Sequence, residues 1–130
     1  MITEAMRQHG VFSWNELMTS DVAGAKAFYG ELLGWTLTDM ESSCGNYTMV
    51  KAGDREIAGI MTTPAEMQGM PPSWGGYVTV DDVDAMPAQV ERLGGKVLAP
   101  PQDIPDVGRF TIIKDPQGAM LMLITYFKQT

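Results

Sequence analysis

SDVAGAKAFYGELLGW, residues 20–35, reads as a complete helix with both ends marked. Asp21 can accept hydrogen bonds from the free N–H groups of a first turn. Val22, Ala25, Phe28, Tyr29, Leu32 and Leu33 then recur at helical spacing, and Gly34 can take the left-handed conformation that closes such a segment. Upstream, VFSWNEL from Val11 alternates as a strand does, and downstream come three strand candidates, Trp35–Met40, Tyr47–Ala52 and Glu56–Thr62. The unit is therefore βαβββ.

The same unit occurs again. Trp14–Gly34 lies on Gly75–Gly95 without a gap, pairing Asp21-Val22 with Asp82-Val83, Ala27 with Ala88, Leu32 with Leu93 and Gly34 with Gly95. Val83, Met86, Val90 and Leu93 repeat the apolar stripe. Pro87 has no N–H to give, so the spacing predicts a second helix starting at Asp84, where that loss falls in the first turn. Strands are expected at Gly75–Val80, Lys96–Ala99, Phe110–Lys114 and Ala119–Thr125. Asp115-Pro116-Gln117-Gly118 has the residues of a tight turn, which makes the last two a hairpin. The result is an α+β chain of two tandem βαβββ modules, about 10–62 and 74–126, joined by a Pro- and Gly-bearing linker over 63–73.

Length and composition bound the function. The 130 residues suit one domain, with 45% apolar and 19% charged residues and no apolar run near the ~18 that span a bilayer. Nine Lys and Arg against sixteen Asp and Glu give a net charge of −7, and no stretch gathers basic residues along one face, so nucleic acid is excluded as a partner. Residues 1–11 show no apolar leader, and the single Cys44 forms no internal disulfide, so a cytoplasmic location is expected. His9 is the sole histidine, which removes any site needing two from one chain. No phosphate-loop or dinucleotide motif is present.

The doubled unit, with FYGELLGW closing the first helix and KDPQGAMLML carrying the last hairpin, resembles the vicinal oxygen chelate superfamily. That superfamily takes in glyoxalase I, extradiol dioxygenases and bleomycin-resistance proteins. The resemblance covers about Gly10 to Tyr126. It implies that each module curls its sheet into a half-barrel with the helix on its outer face, and that two modules enclose a cavity. It also implies four metal-ligand positions, which fall here on Trp14, Gly59, Gly75 and Met122. An indole, two glycines and a thioether do not hold a hard divalent cation, so no metal and no other cofactor is expected.

Side chains alternate along strands, so the residues two away from those positions line the same cavity. The expected lining is Phe12, Trp14, Glu16 and Met18, then Ile57, Gly59 and Met61, then Gly75, Tyr77 and Thr79, and last Met120, Met122 and Ile124. Leu17, Ala58, Ile60, Val78, Val80, Leu121 and Leu123 fall on the helix side. A lining rich in Met and aromatic rings suits an apolar or flat guest, and the acidic balance suits a cationic one. The same stripe would also serve as ordinary core. Glu16 is the candidate general base, with burial expected to raise its pKa, or else a counter-ion or strand-edge carboxylate. His9 is expected to be a solvated tail residue and Cys44 inert, while Trp35 and Trp74 flank the module ends.

Three functions follow from these residues. The first is metal-independent binding of a small organic molecule. The second is a metal-free isomerase, lyase or hydrolase using Glu16. The third is a metal-dependent glyoxalase-like lyase or dioxygenase with displaced ligands. A homodimer is the expected assembly.

Overall fold

The computed structural model describes residues 2–42 and 45–128. Cys44 lies outside them. The chain is an α+β protein of two βαβββ modules. The first runs β1 (Phe12–Thr19), α1 (Val22–Leu33), β2 (Thr36–Ser42), β3 (Gly45–Ala52) and β4 (Arg55–Thr62). The second runs β5 (Ser73–Thr79), α2 (Met86–Arg92), β6 (Lys96–Ile104), β7 (Gly108–Lys114) and β8 (Met120–Tyr126). Among the described residues no helix is long and apolar enough to cross a membrane.

By compactness the chain divides into two units, residues 14–75, and Gly76 onwards together with the N-terminal residues up to Ser13. In the first unit the strand order is β2-β3-β4-β1, with β1 parallel to β4 and the other pairs antiparallel. Asp21 caps α1 by accepting from Gly24 N at 2.9 Å, and Gly34 ends it at φ 69°. Leu17, Val50, Ala58 and Ile60 form a buried cluster on the helix side, covered by Val22, Ala25, Tyr29 and Trp35. Ile57 joins this cluster instead of the opposite face. A register shift is the reason: Val50 pairs with Ala58 but Lys51 with Glu56, which leaves Ile57 as an extra residue on β4 with reversed parity.

In the second unit the order is β5-β8-β7-β6. Val80, Val83, Ile113 and Leu123 form its helix-side cluster, with Val78, Met86, Val90 and Leu121 packed against it. The helix begins at Met86, later than the expected Asp84. A 3-10 turn at Val83–Ala85, capped by the Asp82 carboxylate, comes first, and Pro87 then sits in the first α turn where its missing N–H costs nothing. The sixth strand runs on to Ile104 through Pro100 and Pro101. As the outer strand of its unit it tolerates residues without an N–H, and its register shifts at those points. The 115–118 turn closes as expected, with Gly118 N donating to Asp115 O at 2.9 Å. The N-terminal residues belong to this unit through Gly10 N to Thr79 O, Thr79 N to Val11 O, and the Thr79 hydroxyl to Met6 O.

On the surface of the first unit Lys26 of α1 donates to both Asp39 carboxylate oxygens of β2 at 2.8 Å, and the Thr48 hydroxyl donates to the same group. The Lys26 hydrogen bond, then that of Thr48, lowers the Asp39 pKa from its ordinary 3.8. The stability this tie adds is present above the ordinary value and fades as pH falls through the lowered one. Asp39→Asn is therefore expected to flatten the acid limb of the stability curve below about pH 4, measured by urea titration. Because the pair is exposed, the change is small and shrinks in high salt.

Candidate functional site

The face of the first unit turned away from α1 is built in rows. Glu16 pairs with Gly59, Gly59 with Met49, and Met49 with Thr38. One step along, Met18 pairs with Met61, Met61 with Tyr47, and Tyr47 with Met40. Residues at one level across a sheet project to one side, so these eight share a face, and Trp14 joins them two residues before Glu16. The opposite parity is the helix-side core described above.

Tyr47 organises this face. Its hydroxyl accepts from Trp14 Nε1 at 2.9 Å, although the two residues stand on strands separated by β4. The phenol spans that gap by lying over Gly59. A Cβ built on Gly59 would stand 1.6 Å from the Tyr47 oxygen and 2.0 Å from Cζ. Gly59 is thus a seat for a ring, and any side chain there would evict it.

Glu16 is buried at 2% exposure and Met18 at 3%, while Trp14, Tyr47, Met49 and Met61 are half-buried and Met40 is exposed. The face is therefore a buried carboxyl at the base of a partly open layer of thioethers and two aromatic rings. Sequence reasoning placed Trp14, Glu16, Met18, Gly59 and Met61 here and missed Tyr47 and Met49. The signal was available: a hairpin about Gly53-Asp54 brings the Tyr47 strand against the Gly59 strand with like parity.

The second unit's corresponding face is filled. Tyr77 pairs with Met122 and Met122 with Ile112, and these are buried at 1%, 0% and 0% exposure. Ile124 and Phe110 are buried beside them, with the Tyr77 and Phe110 rings 6.1 Å apart. Met120 is half-buried, as is Gly75, the last residue of the first unit. Phe12 is 73% exposed, its ring lying against Gly76, where an added Cβ would meet it at 2.9 Å.

The remaining candidates have structural roles. His9 Nδ1 accepts from Asp81 N at 3.0 Å and holds the N-terminal residues to their unit. Trp35 and Trp74 pack with Tyr29 of α1: Trp35 stacks on it at 5.7 Å, and Trp74 meets it edge-on at 5.4 Å and donates Nε1 to its hydroxyl.

The four positions given by the resemblance do not fit a hard divalent cation. Trp14 Nε1 is a donor only and is already spent on Tyr47. At Gly59 the space a ligand side chain would need belongs to the phenol. Gly75 offers no side chain, and Met122 offers a buried thioether, a soft donor. Among the described residues no three His, Cys, Asp or Glu side chains gather as a metal cluster.

The sequence profile of the Glyoxalase/Bleomycin resistance protein/Dioxygenase superfamily matches residues 11–123. The chain is 44% identical over 120 residues to "Putative glyoxylase CFP32" of Mycobacterium tuberculosis, a match covering 92% of this chain and 45% of that protein. It is 33% identical over 123 residues to "Anthracycline biosynthesis protein DnrV" of Streptomyces peucetius, covering 85% and 45%. The chain thus spans a little under half the length of these curated relatives. In fold it is similar to methylmalonyl-CoA epimerase of Mycobacterium tuberculosis, with TM-score 0.59 and 15% identity over 90% of each chain. It is also similar to homoprotocatechuate 2,3-dioxygenase of Brevibacterium fuscum, with TM-score 0.59 and 16% identity over 98% of this chain and 41% of that one.

Proposed function

Since the chain belongs to the glyoxalase/bleomycin resistance protein/dioxygenase superfamily, we propose that it is a metal-independent member that binds a small apolar or cationic organic molecule on the Met- and aromatic-lined face of residues 14–75. The observation that carries this reading is Tyr47 seated over Gly59 and bonded to Trp14. It puts an aromatic surface where the resemblance expects ligands for a metal. Two rings offer flat stacking area, and the thioethers of Met49 and Met61 adapt to an irregular outline. A flat polycyclic guest agrees with relatives named for anthracycline biosynthesis. Glu16, the one carboxyl among the residues of this face, is the group a cationic part of the guest would meet.

A thermal-shift screen tests this, using an anthracycline with and without its charged amino sugar, each in chelator and with added divalent ions. The melting temperature is expected to rise with the organic probe alone, by the same amount in chelator. Trp14→Ala is expected to weaken binding about tenfold to a hundredfold, the loss of one aromatic anchor. A shift that requires metal would favour instead the glyoxalase-like or dioxygenase-like reading with displaced ligands.

Burial of Glu16 within that face also supports a second reading, an isomerase, lyase or hydrolase without metal in which Glu16 takes a proton from the bound molecule. Glu16→Gln separates the two. In the binder it weakens only cationic probes, and in the enzyme it abolishes turnover while leaving affinity for a neutral substrate within a few-fold.

A further inference from the structure

Methionine is concentrated on one face of the first unit. Met18, Met40, Met49 and Met61 share the side of the sheet that carries Trp14 and Tyr47, four of the eleven methionines in the chain. The internal repeat provides a control. Tyr47, Met49 and Met61 lie 63 residues before Phe110, Ile112 and Ile124, and the pairing is the same in both copies, Met61 with Tyr47 and Ile124 with Phe110. On the closed face of the second copy these levels hold isoleucine, at 0% and 2% exposure. On the partly open face of the first copy they hold thioethers. Branched aliphatic side chains satisfy the same sheet positions, so packing alone does not call for sulfur at 49 and 61.

What sulfur adds is chemistry. With a hydroperoxide, the lone pair on Sδ attacks the terminal peroxide oxygen, an S–O bond forms and the O–O bond breaks. The proton of the transferred oxygen passes to the departing one, which leaves as water when the oxidant is hydrogen peroxide. Sulfur gives up the two electrons that the peroxide gains. The product is a polar sulfoxide, which thiol-dependent reductases return to the thioether.

The position of the two thioethers gives the change a consequence. Met61 is the partner of Tyr47 across the sheet and Met49 follows Tyr47 by two residues on β3, so both half-buried side chains stand beside the phenol that bonds to Trp14. Met40 is 45% exposed at the margin, and Met18 is closed off at 3%. A sulfoxide oxygen at 49 or 61 demands a donor or water, and the water it draws reaches the Tyr47 and Trp14 rings. We propose that Met49 and Met61 form a site of reversible oxidation by hydroperoxides. On the binding reading given above, on which this consequence rests, their oxidation turns the face polar and lowers its affinity for the guest.

Peptide mass spectrometry after graded hydrogen peroxide, quenched with catalase, is the first test. Met40, Met49 and Met61 are expected to take up oxygen before Met18, following their exposure. In a Trp35→Phe/Trp74→Phe background the emission of Trp14 is expected to move to longer wavelength as Met49 and Met61 convert. It is expected to return when reductases for both sulfoxide epimers are added with a thiol. Affinity for an anthracycline, measured on the same samples, is expected to fall about tenfold or more and to recover with the reductases. In Met49→Leu/Met61→Leu, a swap of similar volume, affinity is expected to be the same before and after peroxide, whatever its starting value. Oxidation of Met18 as early as that of Met49 and Met61, a Trp14 emission unchanged by oxidation, or an equal loss of affinity in the double variant overturns the proposal. So does an oxidised wild type that binds as the reduced one does. A reduced protein that binds no anthracycline counts against the binding reading alone, and the order of oxidation with the emission of Trp14 then decides the site.

Discussion

Gly59→Ala is expected to lower unfolding stability by about 1–3 kcal/mol, the cost of forcing a side chain into filled space. The clash falls on Tyr47, whose oxygen, Cζ and Cε2 stand 1.6, 2.0 and 2.7 Å from the new methyl group. Relief requires the phenol to swing off β4, which breaks its hydrogen bond with Trp14. The emission of Trp14 is expected to change with it, read in a background where Trp35 and Trp74 are phenylalanine. Ligand affinity drops in parallel, because the two rings no longer form one surface. A double-mutant cycle isolates the cause. In a Tyr47→Ala background the same substitution meets no ring and costs far less. Equal costs in the two backgrounds would mean that Tyr47 is not held over Gly59.

Truncation of Ile112 is expected to cost about 2–5 kcal/mol, since it is wholly buried between Ala99 and Met122 on the filled face of the second unit. Met49→Ala, on the partly open face of the first unit, is expected to cost about 1 kcal/mol or less and to weaken ligand binding instead. Urea titrations of the two variants, with affinity measured on each, check the contrast. It follows from burial, not residue type: the first unit keeps Trp14, Tyr47, Met49 and Met61 half-exposed, while the second closes over Tyr77, Ile112, Met122 and Ile124. Similar stability costs for Ile112→Ala and Met49→Ala would erase the distinction between a core face and a binding face.

Much of this fold was legible in the residues because local chemistry and global architecture agree. Asp21 and Gly34 mark the ends of α1 by cap geometry alone, and the 115–118 turn declares its hairpin. Parity then assigned Leu17, Ala58, Ile60, Val80 and Leu123 to the helix side, where they are found. What escaped was set by irregularity. Ile57 changed faces because β4 carries one extra residue, and no local signal in REIAGIM marks it. The start of α2 moved because a 3-10 turn satisfies the Asp82 cap before the α-helix begins. Tyr47 escaped for a different reason. Its reach across β4 to Trp14 depends on the bare backbone of Gly59, a three-strand relation visible only once register is known.

For the candidate site, the residue types were legible and their contacts were not. Reading Trp14, Gly59, Gly75 and Met122 as poor donors needs only residue chemistry. What fills the space requires coordinates. Alternation puts the Glu16 carboxyl on the same side as Trp14, and its neighbours across the sheet, Gly59 and then Met49, follow from the observed pairing.

Metal content and ligand affinity measured on one sample, after exhaustive dialysis against chelator, test the central claim most directly. Metal-independent binding predicts close to zero divalent ion per chain by elemental analysis, with affinity for the organic probe unchanged from the undialysed protein. About one tightly held divalent ion per chain, or binding that vanishes on dialysis and returns only with added metal, would contradict it.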